Sequence, residues 1–131
     1  MNIPILIANV LTLLAFIIHT FIGDKELKMI EPENDDNYLK QEKWTMARSG
    51  WHWVSFDLLL ATIGLGIINF SDILESEKLL LQILSIYFFG YGIVWIIGIT
   101  ISKRFPKNYL KLGQWMLLWL IGGLIFWGLC E

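Results

Sequence analysis

The side chains able to do chemistry are few and gather near two helix boundaries. His19 and His52 are the only histidines in the chain, and Asp57 is the one charged residue inside a long apolar run. Two histidines with one carboxylate suit iron or zinc with an open coordination position. On this reading His19 and His52 ligate a metal ion, with Asp24, Glu26 or Asp57 as the third group. A bis-His haem, a bound quinone or proton-coupled transport would draw on the same atoms. The plainest alternative is a hydrogen-bonded cluster at a helix interface, where His19 or His52 meets Asp57, Ser55 or Gln114. Asp57 itself reads either as a proton or cation site or as an interhelical hydrogen-bonding group, because acids inside an apolar helix are rare.

Other chemistries lack their residues. The chain has no phosphate-binding Gly-rich loop, no Cys-x-x-Cys and no His-Glu-x-x-His. Cys130 stands alone, so no intrachain disulfide framework forms. His52, Ser55 and Asp57 fall within six residues of one helix, too close in sequence for a nucleophile relay. A net charge of -2 without a basic cluster points away from nucleic acid as a partner.

These groups are positioned by strongly apolar elements. Of the 131 residues 56% are hydrophobic and 17% charged, and four runs reach the roughly 20 apolar residues that cross a bilayer: 3–22, 51–70, 79–101 and 112–130. The expected fold class is therefore all-α and integral to the membrane, with four transmembrane helices in an antiparallel bundle forming one domain over 1–131. Strands of a β-barrel would alternate over about 10 residues instead. The first run has no Lys or Arg before it and no small-residue cleavage pattern, so it reads as a retained span.

Lys and Arg set the orientation. Lys25, Lys28, Lys40, Lys43 and Arg48 lie in the 23–50 connection, and Lys103, Arg104, Lys107 and Lys111 in the third connection, against Lys78 alone on the opposite side. Both connections are expected in the cytoplasm and both termini outside, in a cell membrane. The charged stretch before Arg48 reads as a solvated segment, or as a short helix capped by Asp36 or Asn37 and running through Arg48, which Lys40, Lys43, Trp44 and Arg48 would hold on the headgroups. Phe105 and Pro106 are expected to break the chain between the last two spans. Gly23 reads as the terminator of the first helix, with Glu26 reaching His19 only if one more turn forms beyond it.

Helical spacing puts Thr12 with His19, His52 with Ser55, Thr62 and Gly66, and Asp57 with Ala61 and Gly64. Gly64, Gly90, Gly98, Gly122 and Gly123 suggest close helix packing or a homo-oligomer face. The partners implied are the lipid bilayer and a second copy or another membrane protein.

His19-Thr20-Phe21-Ile22-Gly23-Asp24 closes the first helix, and Trp51-His52 opens the second. This pattern resembles that of an uncharacterised group of small four-helix bacterial membrane proteins, with His-x-x-x-Gly-Asp/Glu ending helix one and Trp-His starting helix two. The resemblance implies a bacterial cytoplasmic-membrane setting and directs attention to His19, Gly23, Glu26, Trp51 and His52. It supplies no chemistry. Three functions follow: a membrane protein that binds a ligand, a cation or a partner through His19, His52, Asp57 and Glu26; a metal- or haem-dependent redox protein or enzyme; and a structural membrane subunit.

Overall fold

The computed structural model describes residues 1–33, 37–73, 77–102 and 109–131. They form four helices and no strand: α1 (Ile3–Met29), α2 (Tyr38–Phe70), α3 (Glu77–Ile101) and α4 (Gln114–Cys130). The first three are long and apolar enough to cross a membrane, and α4 is a shorter apolar helix. Asp36, Glu75, Lys103, Arg104, Phe105, Pro106 and Lys107, used in the sequence reading, lie outside the described residues.

Two helix ends depart from the sequence expectation, both beside the histidines. The first helix does not stop at Gly23. That residue keeps right-handed helical angles, φ -63° and ψ -36°, and the chain passes through a widened π turn, Ile18–Gly23, into Asp24–Met29. It ends where the N–H groups of Ile30 and Glu31 close back onto the carbonyls of Leu27 and Lys28, both at 3.2 Å. Pro32 follows, and the residue before a proline is pushed out of helical geometry. The second helix starts thirteen residues before Trp51, at Tyr38. Asn37 caps it, its Oδ1 accepting from the Lys40 N–H at 3.3 Å. The hydroxyls of Thr45 and Ser49 bond back to the carbonyls of Gln41 and Thr45, so this polar stretch stays helical through Gly50. The short headgroup helix and the second span are thus one rod of 33 residues, about 50 Å long against a hydrocarbon layer of about 30 Å.

Apolar side chains such as Leu58, Leu65, Phe88 and Ile121 are buried, yet much of the apolar surface is left outside. Thr12, Ser55, Asn69 and Ser85 are buried, whereas Leu14, Phe56, Ile63, Ile86, Val94 and Phe126 are exposed. Soluble proteins seldom expose so continuous an apolar surface, while hydrocarbon is indifferent to it and penalises unpaired polar groups.

The helices divide into two compact units, residues 10–63 and residues 1–9 with 64–131. In the second, α3 and α4 run antiparallel. Ser85 donates to the Gly122 carbonyl at 2.9 Å, Trp119 to the Phe89 carbonyl at 3.2 Å, and Trp95 to the Leu112 carbonyl at 3.0 Å. Trp95 and Trp119 therefore tie α3 to the chain of α4. Glycine packing falls on a different set from the one the sequence suggests. A Cβ at Gly122 would come within 3.2 Å of Phe89 and of the Ser85 carbonyl, but at Gly64, Gly90, Gly98 or Gly123 it would meet nothing of this chain within 4 Å. The close approaches are at Gly92 against Trp119 and Gly128 against Ile5.

Candidate functional site

The site lies in the unit of residues 10–63, where the end of α1 meets the start of α2. His19 and Trp51 stack with ring centroids 4.0 Å apart and planes 9° from parallel. Each also bonds the other's backbone: His19 Nε2 donates to the Trp51 carbonyl at 3.0 Å, and Trp51 Nε1 donates to the His19 carbonyl at 3.0 Å. The wider turn at Ile18–Gly23 explains how this happens, because i→i+5 pairing loosens the regular ladder and leaves a carbonyl free to turn outward. Gly23 completes the fit. A Cβ there would overlap Cζ2 of the Trp51 ring.

One turn on, Asp24 gathers three nitrogen-bearing side chains. Arg48 grips it with two bonds, Nε to Oδ1 at 2.8 Å and Nη2 to Oδ2 at 3.1 Å. Lys28 Nζ lies 3.1 Å from Oδ2, and His52 Nε2 lies 3.2 Å from Oδ1. The Arg48 guanidinium sits over the Trp44 ring, 5.3 Å from its centre, and Trp44 Nε1 donates to the Leu27 carbonyl at 3.2 Å. Trp44 and Arg48 therefore face α1 rather than lying on headgroups as expected. Trp44, Arg48 and His52 recur every four residues and share one face of α2.

Asp24 and Arg48 lie beyond the apolar spans 3–22 and 51–70, and their charges stabilise each other. The Arg48 hydrogen bonds hold the Asp24 carboxyl well below the usual carboxylate range, overcoming the opposing effect of its partial burial, with Lys28 adding to the shift. Asp24 in turn raises Arg48. A carboxyl whose folded pKa is depressed contributes stability that is present above its unfolded value, about 3.9, and fades as pH falls toward the folded one. The melting temperature of the wild-type protein should therefore drop as pH is lowered below about 4. Asp24→Asn should start lower at neutral pH and lose this component, and parallel pH curves for the two proteins would refute the assignment.

No family model, curated protein or solved structure matches this chain.

Of the four residues singled out from sequence, His19 and His52 both belong to the cluster. Glu26 is exposed in the turn after Asp24, and Asp57 is half-buried further along α2. The carboxylate that meets His52 is Asp24. Both histidines point Nε2 at an oxygen acceptor, so in each that nitrogen carries a hydrogen. Among the described residues no three of His, Cys, Asp and Glu are grouped to hold a metal ion. The two Nε2 atoms aim at separate oxygens, the Trp51 carbonyl and the Asp24 carboxylate. Sequence reasoning missed the Asp24–Arg48 pair and the role of Trp51. The four-residue recurrence on α2 was visible, but it acquires a partner only once α1 continues beyond Gly23.

Proposed function

We propose that this chain is a small integral protein of the bacterial cytoplasmic membrane, with four antiparallel spans, both termini outside, and a site for an anionic ligand at the cytoplasmic ends of α1 and α2. The ligand group is a phosphate or carboxylate. One observation carries the reading: Asp24 receives four contacts from Arg48, Lys28 and His52. A carboxylate offers about four lone-pair positions, so Asp24 has none left for a cation. Arg48 alone brings five N–H donors and Lys28 three. Donors outnumber the acceptor, and Arg48 and Lys28 bring two positive charges to the one negative charge of Asp24. Trp44 and Trp51 set the cluster at the level where indoles favour the membrane interface. The 23–50 connection as a whole carries seven acids and five bases, so attraction of anions is a property of this cluster and not of the segment.

The test is titration of the full chain in nanodiscs with inorganic phosphate, beside flotation with phosphatidylglycerol or phosphatidylcholine vesicles. Saturable binding that Lys28→Gln weakens by about tenfold, the scale of one charged hydrogen bond, supports the reading, and salt should weaken it further. Phosphate competing against vesicles would identify a soluble ligand, and vesicle binding without phosphate binding a lipid headgroup. Equal binding by wild type and Lys28→Gln would overturn the site.

The reciprocal His19 and Trp51 bonds favour a second reading, a structural subunit in which the cluster fixes the register of α1 on α2. Under it, His19→Ala lowers the melting temperature while no anion binds to either protein.

A further inference from the structure

Within the unit of residues 1–9 and 64–131, the ends of α1, α2, α3 and α4 line a cavity of about 630 Å³. That volume falls in the range of small-molecule sites. One wall is apolar, with Ile5, Ile68 and Leu81, all buried. The other carries Asn69, which is only 8% exposed. Its Oδ1 accepts from the Asn2 backbone N–H at 2.7 Å, and Asn2 Nδ2 donates to the Gly128 carbonyl at 2.8 Å. This bond fixes which end of the Asn69 carboxamide is the donor. Nδ2 is buried and has no hydrogen-bond partner among the described residues. Buried amide donors are nearly always paired, so an acceptor is missing at the edge of an open cavity.

The mouth supplies the second half of the argument. Asp72, Glu77 and Lys78 line it, two acids and one base, with Asp72 and Lys78 exposed. That mixture complements a group bearing both a positive and a negative charge. It lies where α2 ends at Phe70 and polar chain begins. In a bilayer this is the level of the ester carbonyls, with headgroups above and acyl chains below.

We propose that the cavity holds an aminophospholipid of the outer leaflet. Lys78 takes the phosphate, Asp72 and Glu77 take the primary ammonium, Asn69 donates to an ester carbonyl, and the first acyl carbons lie on Ile5, Ile68 and Leu81. This assignment rests on the membrane-spanning part of the reading above and not on the anion site, so loss of either site leaves the other standing.

The probe is native mass spectrometry of the full chain released from nanodiscs containing equal phosphatidylethanolamine and phosphatidylglycerol. These lipids share the phosphate and acyl esters and differ in the ammonium. Retained lipid should favour phosphatidylethanolamine by about tenfold. Asp72→Asn with Glu77→Gln should bring the ratio to within about twofold of the mixture, and Asn69→Leu should reduce retention of both lipids. The charge variant changes only mouth residues, so it decides the question even if Asn69→Leu fails to fold. Bound lipid at the bulk ratio in wild type would overturn the proposal. So would free phosphoethanolamine displacing the lipid at equal concentration, since the head alone would then be recognised. A chain that does not partition into membranes at all would instead refute the membrane reading.

Discussion

Gly23→Ala is expected to lower the melting temperature of the detergent-solubilised protein, although helix propensity alone points the other way. Alanine is favoured over glycine inside a helix by about 1 kcal/mol, and Gly23 has ordinary helical angles. Against this, the added Cβ would overlap the Trp51 ring. Overpacking costs about 1–3 kcal/mol, and the sign depends on whether the ring can move. Trp51 is held in three ways: by its stack on His19, by its indole N–H on the His19 carbonyl, and by its own carbonyl on His19 Nε2. Shifting the ring weakens all three together, so the overlap wins. The net loss should be about 1–2 kcal/mol, or several degrees for a chain of this size. Gly98→Ala is the matched control, because a Cβ there meets nothing of this chain within 4 Å and propensity acts alone. It should hold or raise the melting temperature. If Gly23→Ala proved as stable as Gly98→Ala, the clasp would not be formed as described.

The same residues show what could be read from the sequence. The apolar runs stood out because about twenty successive residues with at most one charge satisfy one simple criterion, and most of each became part of a helix. Their ends were harder to place, for a physical reason. Glycine, serine and charge are helix-breaking signals only on average, and tertiary contacts decide the particular case. Gly23 looked like a terminator until the Trp51 ring explained it as a space. The polar stretch from Tyr38 to Gly50 looked like a separate surface helix, and it stays continuous because Asn37 caps it and Trp44 and Arg48 find partners on α1. The histidines were recognisable as site residues. Their partners were not, since Asp24 seemed to lie past a helix end, and a π turn leaves no periodic signature in a sequence. Of the glycines, the ones that pack are set by where side chains of a neighbouring helix fall, Trp51 at Gly23, Trp119 at Gly92, Phe89 at Gly122 and Ile5 at Gly128, which spacing along one helix does not reveal.

A reporter that works only outside the cytoplasm should be active when fused after Glu131, and a cytoplasmic reporter at the same place should be silent. Nine of the ten Lys and Arg residues fall in the first and third connections, and this bias, counted close to the spans, sets orientation with little weight from acids. Acids are the natural objection here, because seven of them share the first connection with five bases. The structure places the strongest of these pairings, Asp24 with Arg48, across two helix ends that come together in the folded protein. During insertion the arginine is not yet neutralised in that way. The contacts also fix parity. Asn2 bonds both Asn69 and Gly128, so the start of α1, the end of α2 and the end of α4 lie together at one end. The α3 and α4 contacts run from Ser85 with Gly122 to Trp95 with Leu112. The tail of α4 thus lies beside the head of α1, and with the four crossings proposed above both belong on one side. The expected result is all or none at Glu131, with the opposite pattern for a reporter inserted between Glu31 and Tyr38. Cytoplasmic activity at Glu131 would reverse the orientation and move the Asp24 cluster to the outer face, where the ligand would have to come from outside the cell.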